Sequence, residues 1–178
     1  MENASKALIM AASVLLGVMI LSIGVYLFYT YSRYSADAYQ RMEDNQIAEF
    51  NAQFLKYYGN TNRTYVDDRG NIQEVEGPIL CTIHNIMSLA NLAAQNNVQY
   101  GFIGEDDQPG YDENTYYIQI DIANKHGNLT NKNLEKLNNS QKIKLLQNNS
   151  NKQYICTDAI VSNATKRVCY MKFIEYEE

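Results

Sequence analysis

Tryptophan is absent, proline occurs twice and histidine twice, and no block of lysine and arginine is found anywhere. Each shortage excludes something. Without a basic block, and with a formal net charge of -5, the chain has nothing to track a phosphate backbone, so no nucleic-acid partner is expected. Two histidines far apart, His84 and His126, do not make a metal centre, and each reads as a structural or surface residue. No HExxH, GxSxG, CxxC or Walker-type motif is present, so no catalytic constellation, cofactor or metal site is expected. The first proline is Pro78, and from Arg33 no glycine appears until Gly59. Nothing therefore interrupts a helix over the first third of the chain.

What is there is an apolar run. From Ala7 to Ser32 no side chain is charged, with Lys6 closing one end and Arg33 the other. A bilayer core of ~30 Å needs roughly 20 apolar residues in a helix, and this run supplies them. It exceeds the usual apolar stretch of a signal peptide, and the Ala36-Asp37-Ala38 pattern lies well past it, so an uncleaved anchor is expected. Tyr26, Phe28, Tyr29, Tyr31 and Tyr34 gather at its C-terminal end as an interfacial belt. Ser13, Gly17 and Gly24 put small residues on one helix face, where another helix can approach closely. Flanking charges are nearly balanced (Lys6 against Glu2, Arg33 and Arg41 against Asp37 and Glu43). The short N-terminal tail is expected inside and the long remainder outside, as a single-pass protein of the cell membrane.

Beyond the apolar run, Tyr39, Met42, Ile47, Phe50, Phe54 and Tyr57 recur at mostly three- and four-residue steps, an amphipathic stripe. One nearly continuous helix is predicted from Ala4 to Tyr58, spanning roughly 80 Å and stopped at Gly59-Asn60. Residues 59–178 are predicted to form a globular domain. Thr64–Val66 and Ile72–Val75 flank a Gly70 turn as a hairpin. Gly77-Pro78 opens a second helix with Ile79, Ile83, Ile86, Met87, Ala90 and Ala94 facing the core, ended by Asn96-Asn97. Strands are predicted at Gln99–Ile103 and Tyr116–Ile122, short helices within Thr130–Asn149, and a last hairpin of Gln153–Val161 and Lys166–Tyr176. The fold class is α+β: a long N-terminal helix, membrane-spanning in its first half, packed on a small domain with antiparallel sheet.

Cys156 and Cys169 fall on the two strands of the last hairpin. They can form a disulfide if the register sets them opposite; otherwise the three cysteines are thiols. The turn-rich segment with Asp106, Asp107, Asp112, Glu113 and Asn114 lacks EF-hand spacing and reads as a solvated acidic loop. The asparagine pairs, Asn96-Asn97 among them, read as compositional bias.

This layout resembles a type IV pilin-like subunit. The likeness rests on an apolar helix beginning almost at residue 1, its amphipathic continuation and a compact sheet-bearing domain after it. Ser5 stands where that family carries an acidic residue, and Gly17 and Gly24 stand in place of its mid-helix proline. The stretch Glu2–Ala11 also looks like the start of small membrane proteins of Gram-positive bacteria. The pilin resemblance implies a structural role, with self-assembly through the apolar helix into a surface filament. The alternative is a monomeric membrane-anchored module that binds or senses a partner outside the cytoplasm.

Overall fold

The computed structural model describes residues 2–66, 68–102, 112 and 114–177. The fold is α+β. A first helix, α1, runs over Glu2–Leu55, 54 residues without a break. Then come β1 (Asn60–Val66), β2 (Ile72–Pro78), β3 (Leu80–Thr82), α2 (Ile83–Gln99), β4 (Gln119–Ala123) and β5 (Leu129–Asn131). A 3₁₀ turn at Leu134–Lys136 leads to α3 (Asn139–Asn148), and the last hairpin is β6 (Gln153–Val161) with β7 (Val168–Tyr176). By internal packing the chain falls into two units, one ending at Gln46 and one starting at Ile47.

The second unit is built round a five-stranded sheet of order β3-β6-β7-β4-β5, and β1-β2 form a separate antiparallel hairpin. The sheet is mixed, because β4 runs parallel to β7, with Ile120 beside Met171 and Ile122 beside Phe173. The core lies where α2 and the end of α1 meet this sheet: Phe54, Ile83, Ile86, Ala90, Ile120, Met171 and Phe173 are wholly buried. Phe50 packs against Phe54 with ring centroids 5.1 Å apart. The stripe expected along α1 thus docks from Ile47 onward. Tyr39 and Met42, expected to share it, are 70% and 57% exposed.

Several boundaries differ from the sequence expectation, each for a local reason. α1 ends at Leu55, and Tyr58 leaves the helix to form a single parallel bridge with Cys156. Gly77-Pro78 closes β2 instead of opening α2. The helix is capped four residues later by Thr82, whose hydroxyl accepts from the Asn85 N–H at 3.4 Å while the Asn85 side chain accepts from the Thr82 N–H at 2.9 Å. That is a capping box with Asn in the usual Glu place. The helix does not stop at Asn96-Asn97, and its continuation to Gln99 overrides the strand expected at Gln99–Phe102; Ile103 lies outside the described residues. The strand expected from Tyr116 begins at Gln119, and β3 and β5, three residues each, were not anticipated.

Asn96 and Asn97 are not idle composition. Both are buried. The Asn97 carboxamide donates to the Ile118 carbonyl at 2.9 Å and accepts from the Ile118 N–H at 2.8 Å. Asn96 donates to the Tyr116 carbonyl at 2.8 Å. Asn51 does the same where the neighbouring strand β7 begins: its amide donates to Lys166 O at 2.8 Å and its carbonyl accepts from Val168 N–H at 2.9 Å. In each case one side chain substitutes for a missing neighbouring strand.

Replacing Asn97 by Ala leaves both polar groups of Ile118 buried and unpaired. The expected loss is about 1–3 kcal/mol of unfolding free energy, measured by chemical denaturation of the full chain in detergent micelles. An unchanged midpoint would mean that water takes over both bonds.

Candidate functional site

The feature that the packing of the second unit does not involve is the apolar surface of the first half of α1. Its large apolar side chains from Leu8 to Phe28 are exposed in this chain, Leu21 at 71% and Phe28 at 76%. The helix is long and apolar enough to cross a membrane, and none of its most apolar window is buried. At 1.5 Å per residue, the run from Ala7 to Tyr26 covers about 30 Å, the thickness of a hydrocarbon core. The polar groups within it are satisfied locally: the Ser13 hydroxyl donates to the Met10 carbonyl at 2.8 Å, and that of Ser22 to the Val18 carbonyl at 2.7 Å. Lys6 meets Glu2 one turn away at 2.9 Å, so the two charges at the N-terminal margin compensate each other.

The aromatic collar has a definite geometry. With about 100° per residue, Tyr26, Phe28, Tyr29, Tyr31 and Tyr34 fall near 0°, 200°, 300°, 140° and 80° around the axis. No gap between neighbouring rings exceeds about 100°, and the five lie within about 12 Å along the helix. A seam against one partner would collect them on one side, whereas a lipid–water interface surrounds the helix and favours amphipathic rings on every side. Arg33 stands at the polar margin with its guanidinium 5.7 Å from the Tyr29 ring centre. Ser13, Gly17 and Gly24 do share a face, within about 40° of one another. A Cβ placed on either glycine would meet nothing within 4 Å. Within this one chain, then, the small residues answer no packing demand.

In the second unit the register settles the geometry of the cysteines. Cys156 lies opposite Phe173, and Tyr170 opposite Ile160, with an extra residue between Cys156 and Asp158. Cys169 is therefore several residues from Cys156 along the hairpin, its thiol directed at the Ile160 carbonyl at 3.4 Å. The turn is closed by Ser162 and Arg167, a register that sets Cys156 four residues from opposition with Cys169, and all three cysteines are thiols. Burial pushes the Cys81 thiol up to about 12, and burial with the nearby Cys81 does the same to Cys156. Such groups make poor nucleophiles, since the thiolate is the reactive form.

A second cluster was not anticipated from sequence. Arg167 places its guanidinium 3.7 Å from the Phe50 ring centre and 5.3 Å from that of Tyr100. Tyr100 and Tyr116 stack in parallel, 4.3 Å apart. Residues 50, 100, 116 and 167 are remote in sequence, so no spacing could have revealed them. Their evident work is structural: Arg167 covers the docked end of α1 and donates to the Tyr100 hydroxyl. Of the acidic segment, Asp106, Asp107 and Glu113 lie outside the described residues. Asp112 accepts from the Asn114 N–H at 2.9 Å, a local turn. Among the described residues no three His, Cys, Asp or Glu side chains come together as a metal site.

Compared with family models, curated proteins and solved structures, the chain matches none.

Under native, non-reducing conditions the intact mass is expected to be that of three thiols, with Cys81 and Cys156 alkylated at least ~10-fold more slowly than after unfolding. A native Cys156–Cys169 bridge found by peptide mapping would overturn the β6–β7 register.

Proposed function

We propose that this chain is a single-pass membrane protein in which α1 anchors a small α+β module on the outer side of the membrane. The observation that supports this reading is the apolar helix exposed on every side and ended by an aromatic collar spread round its circumference. A helix greasy all round is suited to lipid, and a ring of Tyr and Phe is suited to the headgroup layer. Intramembrane serines that bond their own helix make no demand for a partner. Among the described residues of the module no three His, Cys, Asp or Glu side chains come together as a metal site. Its role on this reading is binding or sensing at the surface, with the helix serving to hold it there.

The second reading, a pilin-like filament subunit, is favoured by one observation: Ser13, Gly17 and Gly24 on one face of an unbroken 54-residue helix. Head-to-tail contacts along such a face propagate into a helical filament and do not close a ring.

Ile20→Arg puts a charge at the centre of the span, at a cost of about 2.5–3.5 kcal/mol for insertion. The expected result is loss of the chain from carbonate-washed membranes, where the unaltered chain remains, with added protease on intact cells trimming only the part beyond Arg33. An unaltered chain released by carbonate would sink the anchor. For the second reading, sheared surface material is viewed by electron microscopy with antibody to this chain. Labelled filaments that vanish in Gly17→Leu, with membrane insertion retained, would establish assembly. Their absence from cells carrying the unaltered chain would reject it under those conditions.

A further inference from the structure

The junction between β4 and the 3₁₀ turn is held by two carboxylates that reach across it in opposite directions. Glu135, on the turn, accepts from the Ile120 N–H of β4 at 3.0 Å and from the Tyr117 hydroxyl at 2.7 Å. Asp121, on β4, accepts from the Asn133 N–H at 2.8 Å, from Gln119 at 2.9 Å and from the Tyr170 hydroxyl at 3.2 Å. Glu135 is 6% exposed and Asp121 1%. The Tyr117 side chain between them is wholly buried. Like charges in such a place repel in a low dielectric and lose their hydration.

The Ile120 N–H and the Tyr117 hydroxyl both favour the charged form of Glu135, but among the described residues no cation is paired with either carboxylate. On the turn itself Lys136 sets its ammonium 5.4 Å from the Tyr117 ring centre, but it is exposed, as is Lys132 just before it. α2 packs on the turn and brings no charged side chain to it, His84 standing at its far end. On β7, Lys172 lies beside Asp121 in register but pairs with Asp158 at 3.8 Å. Burial, helped by the Asp121 charge, holds the Glu135 carboxyl above its ordinary value.

We propose that this junction is a pH-responsive strap, closed while Glu135 carries a proton and loosened when it ionises. A proton on Glu135 leaves one acceptor oxygen for Ile120 and removes the repulsion with Asp121. Because Glu135 binds its proton more tightly folded than unfolded, its stabilising effect is full below its ordinary carboxyl value. It is lost as pH rises from there through the raised folded value. Opening would free the turn and the short strand β5 before it, and leave α2 and the β6–β7 hairpin in place.

The test is amide hydrogen exchange of the full chain in detergent micelles at about pH 5 and about pH 8, corrected for the intrinsic rate of exchange. Protection across residues 129–137 is expected to fall at least ~3-fold at the higher pH, with α2 and β6–β7 unchanged. Glu135→Gln is expected to remove that difference, since the carboxamide keeps an acceptor for Ile120 without a charge. Asp121→Asn is expected to shrink it. No pH effect in the unaltered chain, or the same effect in both variants, would overturn the strap. The unaltered chain alone decides the case if a variant fails to fold.

Discussion

Backbone groups at the margins of β4 and β7 have no strand beside them, and the domain depends on how they are satisfied. A buried N–H or C=O without a partner costs about as much as a lost hydrogen bond or more. β4 has five residues and β5 only three, with a shift in register between them. The outer edge of β4 is therefore bare over most of its length. Side chains fill the place of the missing strand: Asn97 serves Ile118, and Glu135 serves Ile120. Asn51 serves Val168 where β7 begins. Carboxamides suit this task because one group carries both a donor and an acceptor, so a single Asn copies the hydrogen bonding of a peptide unit. The carboxylate does half of it and brings a charge, which is why the Glu135 contact is sensitive to pH and the Asn contacts are not.

These same bonds decide where the helices sit. α2 is fixed at one end by the Thr82–Asn85 capping box and near the other by Asn96 and Asn97 on the segment entering β4. The last turns of α1 are fixed by Asn51 and by the Phe50–Phe54 pair, with Phe54 wholly buried. Apolar burial supplies most of the favourable free energy, but it is not directional. The amide bonds are directional and so bear on register, and Arg167 lies over the Phe50 ring at that joint.

The long helix, the β1–β2 hairpin round Gly70 and the β6–β7 hairpin were legible because each rests on local signals: an uninterrupted apolar run, a turn residue, alternation. The parallel pairing of β4 with β7 was not, since it joins residues some fifty apart and leaves no periodic trace. Gly77-Pro78 misled because a proline opening a helix and a proline closing a strand look alike in one dimension. The Cys156–Cys169 pairing failed because the turn lies between Ser162 and Arg167, which puts Phe173, four residues on from Cys169, opposite Cys156. Asn96 and Asn97 were hidden by the abundance of asparagine elsewhere, so that composition masked two copies that carry structure. For the apolar half of α1 the reverse holds: the placing of its aromatic and small residues round the axis needs only the spacing of residues and the geometry of a helix.

α1 obeys three different rules along its length. To Phe28 it is apolar all round. From Ile47 it is buried on one face. Between Arg33 and Gln46 it has no buried residue, so no buried packing face supports it. A helix so short is marginal in isolation, because forming the first turn is costly, with a nucleation factor near ~0.001. Here no nucleation is needed. The apolar turns before it and the docked turns after it are already helical, so each residue between adds its hydrogen bond for the cost of propagation alone. Arg33, Asp37 and Arg41 stand four apart and alternate in sign, a spacing that places no like charges together on the helix face. The middle of α1 is thus helical because both its ends are held, and its sequence needed only to avoid glycine and proline, which it does.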